Sequence, residues 1–217
     1  MTDAWSGRAE LYRTSAAHSE GADLDLIVEW AAGARTALDV ATGGGHVARR
    51  LREAGLEVVT VDPAPGMQPD VIAVAENLPF VDAGFDLSVT RVAAHHFADV
   101  RAAVRELARV AADRALIVDN LNLGAEIERA EKIRDPSHVR NYHEGEWRSF
   151  AVDAGLAVDE VRILEHPVEL EPWLERTDCT GEDAAVVRGL LAPRLRDGWI
   201  LFERIALRTS KPRAPEA

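Results

Sequence analysis

The sequence predicts an α/β fold, doubly wound around a mostly parallel seven-stranded sheet with one crossover helix missing. Three observations carry this. Short β-rich apolar runs alternate along the chain with segments of helical period, the pattern of a parallel sheet covered by helices. One stretch at residues 36–48, TALDVATGGGHVA, passes from an apolar run through three consecutive glycines into a helical pattern. At 217 residues and 47% hydrophobic, the chain is long enough to bury a full core.

Taken in order, the strands fall at residues 37–41, 58–61, 71–74, 85–90, 115–119, 158–164 and 199–207, where β-branched and aliphatic residues cluster between turn signals. Helices are predicted from Leu24, Ile27, Val28 and Trp30, from Val47, Leu51 and Ala54, and from Val100, Val104, Leu107 and Ala111, each set spaced to share one face. Residues 144–154, stopped by Gly155, and 182–191 complete the helical set. The crossover after Asp62 is unusual. Only eight residues separate it from Val71, and Pro63, Pro65 and Pro69 are among them. A parallel crossover normally takes a dozen or more residues, usually with a helix. The strip left over the second and third strands should then be covered by the N-terminal segment 5–30 or by a second copy of the chain.

One domain is expected over residues 1–208, with an N-terminal helical segment at 1–34. Insertions at 120–143 and 165–198 are longer than the sheet requires and suit a lid over the strand ends. Residues 209–217, with two prolines and little apolar content, are expected to be a disordered tail. Lys and Arg number 25 against 37 Asp and Glu, and the formal charge of -12 argues against a phosphate-backbone partner. Cys179 is the only cysteine, which excludes an internal disulfide and any multi-cysteine metal site. The polar, mixed-charge start does not resemble a signal peptide, and no run is long enough to span a bilayer. The expectation is a cytoplasmic monomer or homodimer without nucleic-acid or membrane partners.

Gly43, Gly45 and Ala48 satisfy the dinucleotide pattern G-x-G-x-x-G/A, and Asp62 ends the next strand about 20 residues on, where a ribose-binding acid belongs. Alone this pattern serves any adenosine ligand and leaves a nicotinamide-dependent oxidoreductase open. Asp39 is the unusual feature. A carboxylate four residues before Gly43, in a strand that a phosphate site would keep apolar, suits a cationic ligand.

The segments LDVATGGG, VVTVDPAPGM, AENLPF and FDLSVTRVAAHHFAD occur in an order and spacing that resemble the class I methyltransferases that use S-adenosylmethionine. The likeness is closest to small-molecule enzymes similar to the ubiquinone and menaquinone C-methyltransferases. It is strong over residues 37–118 and moderate in RDPSHVRNYHEGEW at 134–147. The resemblance implies that Asp39 holds the glycine loop and faces the cofactor's methionine end, with Ala41, Gly43 and Gly45 in close approach. Asp62 would bind the ribose hydroxyls, Pro63 would lie against the adenine, and the backbone near Ala75 and Glu76 would meet the adenine edge. Arg91 and Val92 would border the methionine moiety. The chain departs from the family at Ala41, often glycine, and at Val74, where an aspartate commonly accepts from the adenine amino group. Val74 and the shortened crossover keep open, as an alternative to the methyl-transferring enzyme, a non-catalytic or repurposed member that binds its cofactor or a metabolite.

Methyl transfer from a sulfonium is an in-line displacement, for which placing the acceptor in a dry site supplies much of the acceleration. A base matters only if the acceptor must lose a proton. His95 and His96 follow the fourth strand and are the candidates, an imidazole being suited to proton transfer near neutral pH. Adjacent histidines rarely bind one ion together, and no metal is expected. The small-molecule acceptor is expected between Arg140 and Tyr142 in the first insertion and Trp173 and Arg176 in the second, a set suited to a flat or anionic molecule.

Overall fold

In the computed structural model, which describes residues 5–14 and 19–212, the apolar runs form strands whose side chains alternate between two cores. The strands are β1 (Thr36–Val40), β2 (Glu57–Asp62), β3 (Val71–Ile72), β4 (Phe85–Arg91), β5 (Ala111–Asn120), β6 (Ala157–Glu169) and β7 (Trp199–Ser210). They make one sheet in the order β3-β2-β1-β4-β5-β7-β6. Strands β1 to β5 are parallel, while β7 runs antiparallel between β5 and β6.

The helices are α1 (Ala9–Thr14), α2 (Ala22–Trp30), α3 (His46–Glu53), α4 (Val100–Val110), α5 (Ala125–Arg134), α6 (Glu144–Asp153), α7 (Leu170–Glu175) and α8 (Gly181–Leu191). Leu38, Val40, Val61 and Ile117 face one side of the sheet, where Val104 and Leu107 of α4 and Trp147 and Phe150 of α6 cover them. Ala37, Leu87, Val89, Leu116 and Val118 face the other, against Leu24, Ile27 and Trp30 of α2 and Val47 and Leu51 of α3. Burying a side chain such as Leu51 or Leu107 completely stabilises by about 1.5–3 kcal/mol. The start of α4 is fixed by Asp99, whose Oδ1 accepts from Ala102 N at 3.0 Å.

The two insertions meet in a third core. Ile127 and Ala130 of α5 pack with Leu170, Trp173 and Leu174 of α7, Val187 and Leu191 of α8, and Val168, Ile200 and Phe202 from the far ends of β6 and β7. Several expected boundaries shift. Residues 165–169 belong to β6 rather than to the insertion, and β7 continues through Thr209 and Ser210, where Thr209 Oγ1 donates to Ala115 O at 2.8 Å. The rest of the expected tail beyond Pro212 lies outside the described residues. Strand β3 has two residues, since only Val71 and Ile72 pair with β2.

Between β2 and β3 there is no α-helix, only a 3-10 turn at Pro65–Met67. Two devices replace it. Asp70 Oδ2 accepts from Thr60 N at 2.9 Å and Thr60 Oγ1 at 2.7 Å, while Asp70 N donates back to Thr60 Oγ1 at 2.9 Å, stitching the loop to the middle of β2. Those hydrogen bonds hold the Asp70 carboxyl below its ordinary range. The N-terminal segment supplies the rest: Trp5 and Ala9 pack on Ala64 and Met67, and Gly66 N donates to Ser6 Oγ at 2.6 Å. Among the described residues this cover reaches the turn but not the edge strand. Ile72 and Val74 remain 61% and 39% exposed on the wall of a large cavity.

Candidate active site

At the C-terminal ends of the parallel strands lies a cavity of about 1290 Å³, above the point where the chain order reverses between β1 and β4. Its first wall is the glycine loop. Asp39 is buried beneath it, and its Oδ2 accepts from Thr42 Oγ1 at 2.6 Å and from Ala48 N at 3.1 Å. Burial pushes the Asp39 carboxyl up to about 6 against the pull of those two hydrogen bonds, and the charge of Asp62 adds to the rise. Asp62 accepts from Gly43 N at 3.0 Å through one oxygen and from Ala64 N at 2.9 Å through the other. A carboxylate oxygen can accept more than one hydrogen bond. The loop turns through left-handed backbone at Ala41 (φ 57°), Gly43 (φ 51°) and Gly45 (φ 76°), the last capping α3. Two carboxylates against one glycine loop fit a cationic or hydroxyl-bearing ligand and are unsuited to a pyrophosphate.

Beyond β4 the chain passes through Val92, a β-branched residue at φ 52° on the cavity wall, into a short turn that presents His95 and His96. His95 Nδ1 lies 2.6 Å from Oδ1 of Asp119, which is fully buried at the end of β5. A carboxylate can only accept, so Nδ1 carries a proton and in the neutral ring Nε2 is the accepting nitrogen. Burial alone would lower the His95 pKa, but Asp119 outweighs it and the net shift is upward. His96 goes the other way. Its burial and the neighbouring charge of His95 hold it well below the ordinary range, and its Nδ1 lies 3.1 Å from Ser137 O. The edge of Trp5 meets the His96 ring at a centroid distance of 4.7 Å.

The far wall is basic. Arg91 and Arg204 both donate to Asp23 of α2, with Arg91 Nε 2.7 Å and Arg204 NH1 2.9 Å from Asp23 Oδ2. All three side chains are nearly inaccessible. Asp23 is shared by two cations. The Asp23 carboxyl ends below its usual range because the two arginines overcome its burial, whereas Arg204 falls to about 10 because burial outweighs Asp23 and Arg91 adds a like charge. Arg204 NH2 also lies 2.9 Å from His166 Nε2, and burial followed by the Arg204 charge lowers that imidazole to about 3. Trp173 stands at this end under the guanidinium of Arg134, 4.2 Å above its ring, with Arg176 alongside on the cavity wall.

Comparison with known proteins places this geometry. A family model described as a methyltransferase domain matches residues 38–118, the span from β1 to β5. An uncharacterized methyltransferase of Bacillus subtilis, YcgJ, is 34% identical over 196 residues, covering 79% of this chain and 78% of that protein. The chain is a class I methyltransferase. The crystal structure of YcgJ superposes with a TM-score of 0.80 at 27% identity, covering 88% of this methyltransferase and all but 1% of that chain. A Bacillus halodurans protein of the same fold gives a TM-score of 0.78 at 28% identity, over 89% of this chain and 100% of that one. At the level of fold alone, a Haemonchus contortus N-methyltransferase solved with S-adenosylhomocysteine aligns with a TM-score of 0.65 at 17% identity, over 98% of this chain and 58% of that one. A nicotinamide-dependent oxidoreductase is not favoured. Among the described residues, no helix is long and apolar enough to cross a membrane.

Of the residues singled out in the sequence, Asp39, Ala41, Gly43, Asp62, Pro63, Ala75, Glu76, Arg91, His95, His96, Trp173 and Arg176 line the methyltransferase cavity. Gly45 sits behind it as the cap of α3. The Glu76 carboxylate is turned toward α4, accepting from Ala98 N at 2.8 Å and Asp99 N at 3.2 Å. Arg140 and Tyr142 are elsewhere. Arg140 forks onto Glu146 at 2.8 and 3.0 Å at the start of α6, and Tyr142 is buried against Trp147 and Phe150. Asp119, Asp23, His166 and Arg204 were not singled out. For Asp119 a signal existed, a carboxylate ending an apolar strand as Asp39 and Asp62 do. The others meet across 38 to 181 residues, which no local pattern displays.

Proposed function

We propose that S-adenosylmethionine occupies the glycine-loop end of the cavity, that a small organic acceptor carrying an anionic group occupies the basic end, and that His95 removes the acceptor's proton. When bound, the cofactor supplies an electrophilic methyl group on a sulfonium. Asp62 accepts from the ribose hydroxyls, Asp39 sets a negative field beside the cationic end, and the exposed faces of Ile72 and Val74 offer an apolar wall to the adenine. Arg176, Arg204 and Trp173 receive the acceptor. With the cofactor bound, His95 would take through Nε2 the proton that the acceptor loses, and Asp119 would stabilise the resulting imidazolium.

The observation that carries this reading is the 2.6 Å contact between His95 Nδ1 and the buried Asp119, on the cavity wall after β4. The test is a melting experiment on the full chain with S-adenosylhomocysteine and NADH. A ligand at about 100 times its dissociation constant adds about 2.7 kcal/mol. Asp62→Ala is expected to lose most of the shift, while His95→Gln keeps it and loses turnover. A shift with NADH and none with S-adenosylhomocysteine overturns the cofactor assignment.

A further inference from the structure

We propose a second site adjoining the cavity: a divalent first-row transition metal ion held by Glu128, Glu131, His138 and Asn141 behind the His95 wall. Glu128 and Glu131 lie three residues apart on α5 and share a face. After the helix the chain reverses at Asp135, whose Oδ1 accepts from Ser137 N at 3.0 Å and Ser137 Oγ at 2.6 Å, and this brings His138 and Asn141 back onto that face. His138 Nε2 is then 3.2 Å from Glu128 Oε1, and one donor atom from each of Glu128, Glu131 and His138 lies within 4.8 Å of the others. Two donors bound to one ion at about 2.1 Å stand roughly 3.0–3.4 Å apart. The Glu128–His138 edge is already of that length, and Glu131 needs a small inward movement.

Asn141 supplies the independent observation. It is 1% exposed, its backbone N donates to Glu128 Oε2 at 3.2 Å, and its Nδ2 donates to Glu131 Oε2. Its Oδ1 is buried with no hydrogen-bond partner. Rotating the carboxamide by half a turn exchanges Oδ1 and Nδ2: it gives up the hydrogen bond to Glu131 and puts an oxygen donor there for a cation. Lys132, 3.5 Å from Glu128 Oε1, is half-exposed and approaches the outer carboxylate from solvent. The donor set has carboxylate, imidazole and carboxamide but no thiolate. Imidazole among oxygen donors favours Mn²⁺, Fe²⁺ or Zn²⁺ over Mg²⁺ and Ca²⁺. The ion would tie α5 to the strap whose Val139 N and Arg140 N donate to His95 O at 2.8 and 3.1 Å, and so would stiffen the backbone that carries His95.

The experiment is titration of the EDTA-treated full chain with Mn²⁺, followed by the paramagnetic resonance signal of the free ion, with Zn²⁺ as competitor and melting temperature as a parallel readout. The expected result is one Mn²⁺ per chain, displaced by Zn²⁺ and accompanied by a rise in melting temperature. Glu128→Gln, at the solvent side of the cluster, and His138→Gln should each weaken binding by about tenfold or more, because each removes a ligand. If His138→Gln does not fold, Glu128→Gln decides. Absence of stoichiometric binding, unchanged affinity in Glu128→Gln, or equal affinity for Mg²⁺ overturns the assignment.

Discussion

Replacing Asp23 by Asn removes the anion that two buried guanidinium groups share while leaving the shape of the side chain nearly unchanged. In the native protein Asp23, Arg91 and Arg204 have side chains only 3–5% exposed, so water cannot take over the lost charge. Removing one partner from a buried ion pair costs about 3–5 kcal/mol, which at 2–4 °C per kcal/mol for a domain of this size lowers the melting temperature by roughly 6–20 °C. The assay is urea unfolding followed by circular dichroism at pH 7, with the midpoint and slope fitted separately. A double variant separates charge from packing: Asp23→Asn with Arg204→Met deletes one of the stranded cations and should recover part of the loss. A cost below about 1 kcal/mol, the range of surface pairs, would falsify the view that α2 is fastened to the cavity floor by charge. Because the folded pKa of Asp23 is depressed, this stabilisation is present above the ordinary carboxylate range and disappears as pH falls through the folded value.

Three further outcomes are expected. Asp119→Asn removes the group that raises the His95 pKa and leaves the opposing burial, so the rising limb of the rate profile should move to lower pH as the maximal rate falls; an unmoved limb refutes the pairing. In the native protein the pair's contribution to stability is complete below the unfolded imidazole pKa and fades as pH rises through the elevated folded value. Ala41→Gly relieves a left-handed residue worth about 1 kcal/mol but adds chain entropy of about 0.5–1 kcal/mol, so stability should stay level or rise slightly, and a clear loss in a melting scan contradicts the backbone assignment. Gly66→Ala places a Cβ 2.4 Å from Ser6 Cα and should cost about 1–3 kcal/mol by lifting the N-terminal segment, whereas an unchanged urea midpoint means that the segment does not dock there.

The central sheet was legible because its signals are local. Leu38 and Val40 alternate with Ala37 and Asp39, and three glycines follow at the turn where the backbone goes left-handed. The prolines at 63, 65 and 69 also reported the missing crossover helix. Helix α5 was not legible, since AEIERAEKIR buries only Ile127, Ala130 and Glu131 and so shows no apolar stripe. The length of β6 was obscured by Pro167, which an edge strand tolerates because its unpaired side needs no donor. Arg140 and Tyr142 were read as acceptor ligands from residue type and their place in the first insertion. Their positions depend on Glu146 and on the packing of α6, neither of which a spacing argument contains.

One sequence signal proves more general than the glycine pattern. Four of the five parallel strands carry a buried charge in their last two residues, namely Asp39 on β1, Asp62 on β2, Arg91 on β4 and Asp119 on β5. A strand buried on both faces excludes charge along its length, because an unpaired ion there costs several kcal/mol. At the C-terminal end the ladder stops and the side chain meets the crevice, where hydrogen bonds can hold the ion. Each of the four has such partners: Thr42 and Ala48, Gly43 and Ala64, Asp23, and His95. The four also divide the cavity by sign. The carboxylates of β1 and β2 face the glycine loop, the guanidinium of β4 joins the basic wall, and the carboxylate of β5 is screened from the cavity by the imidazole it orients. A charged residue closing an apolar parallel strand therefore marks both the rim of the site and the polarity of what each part of the rim can hold.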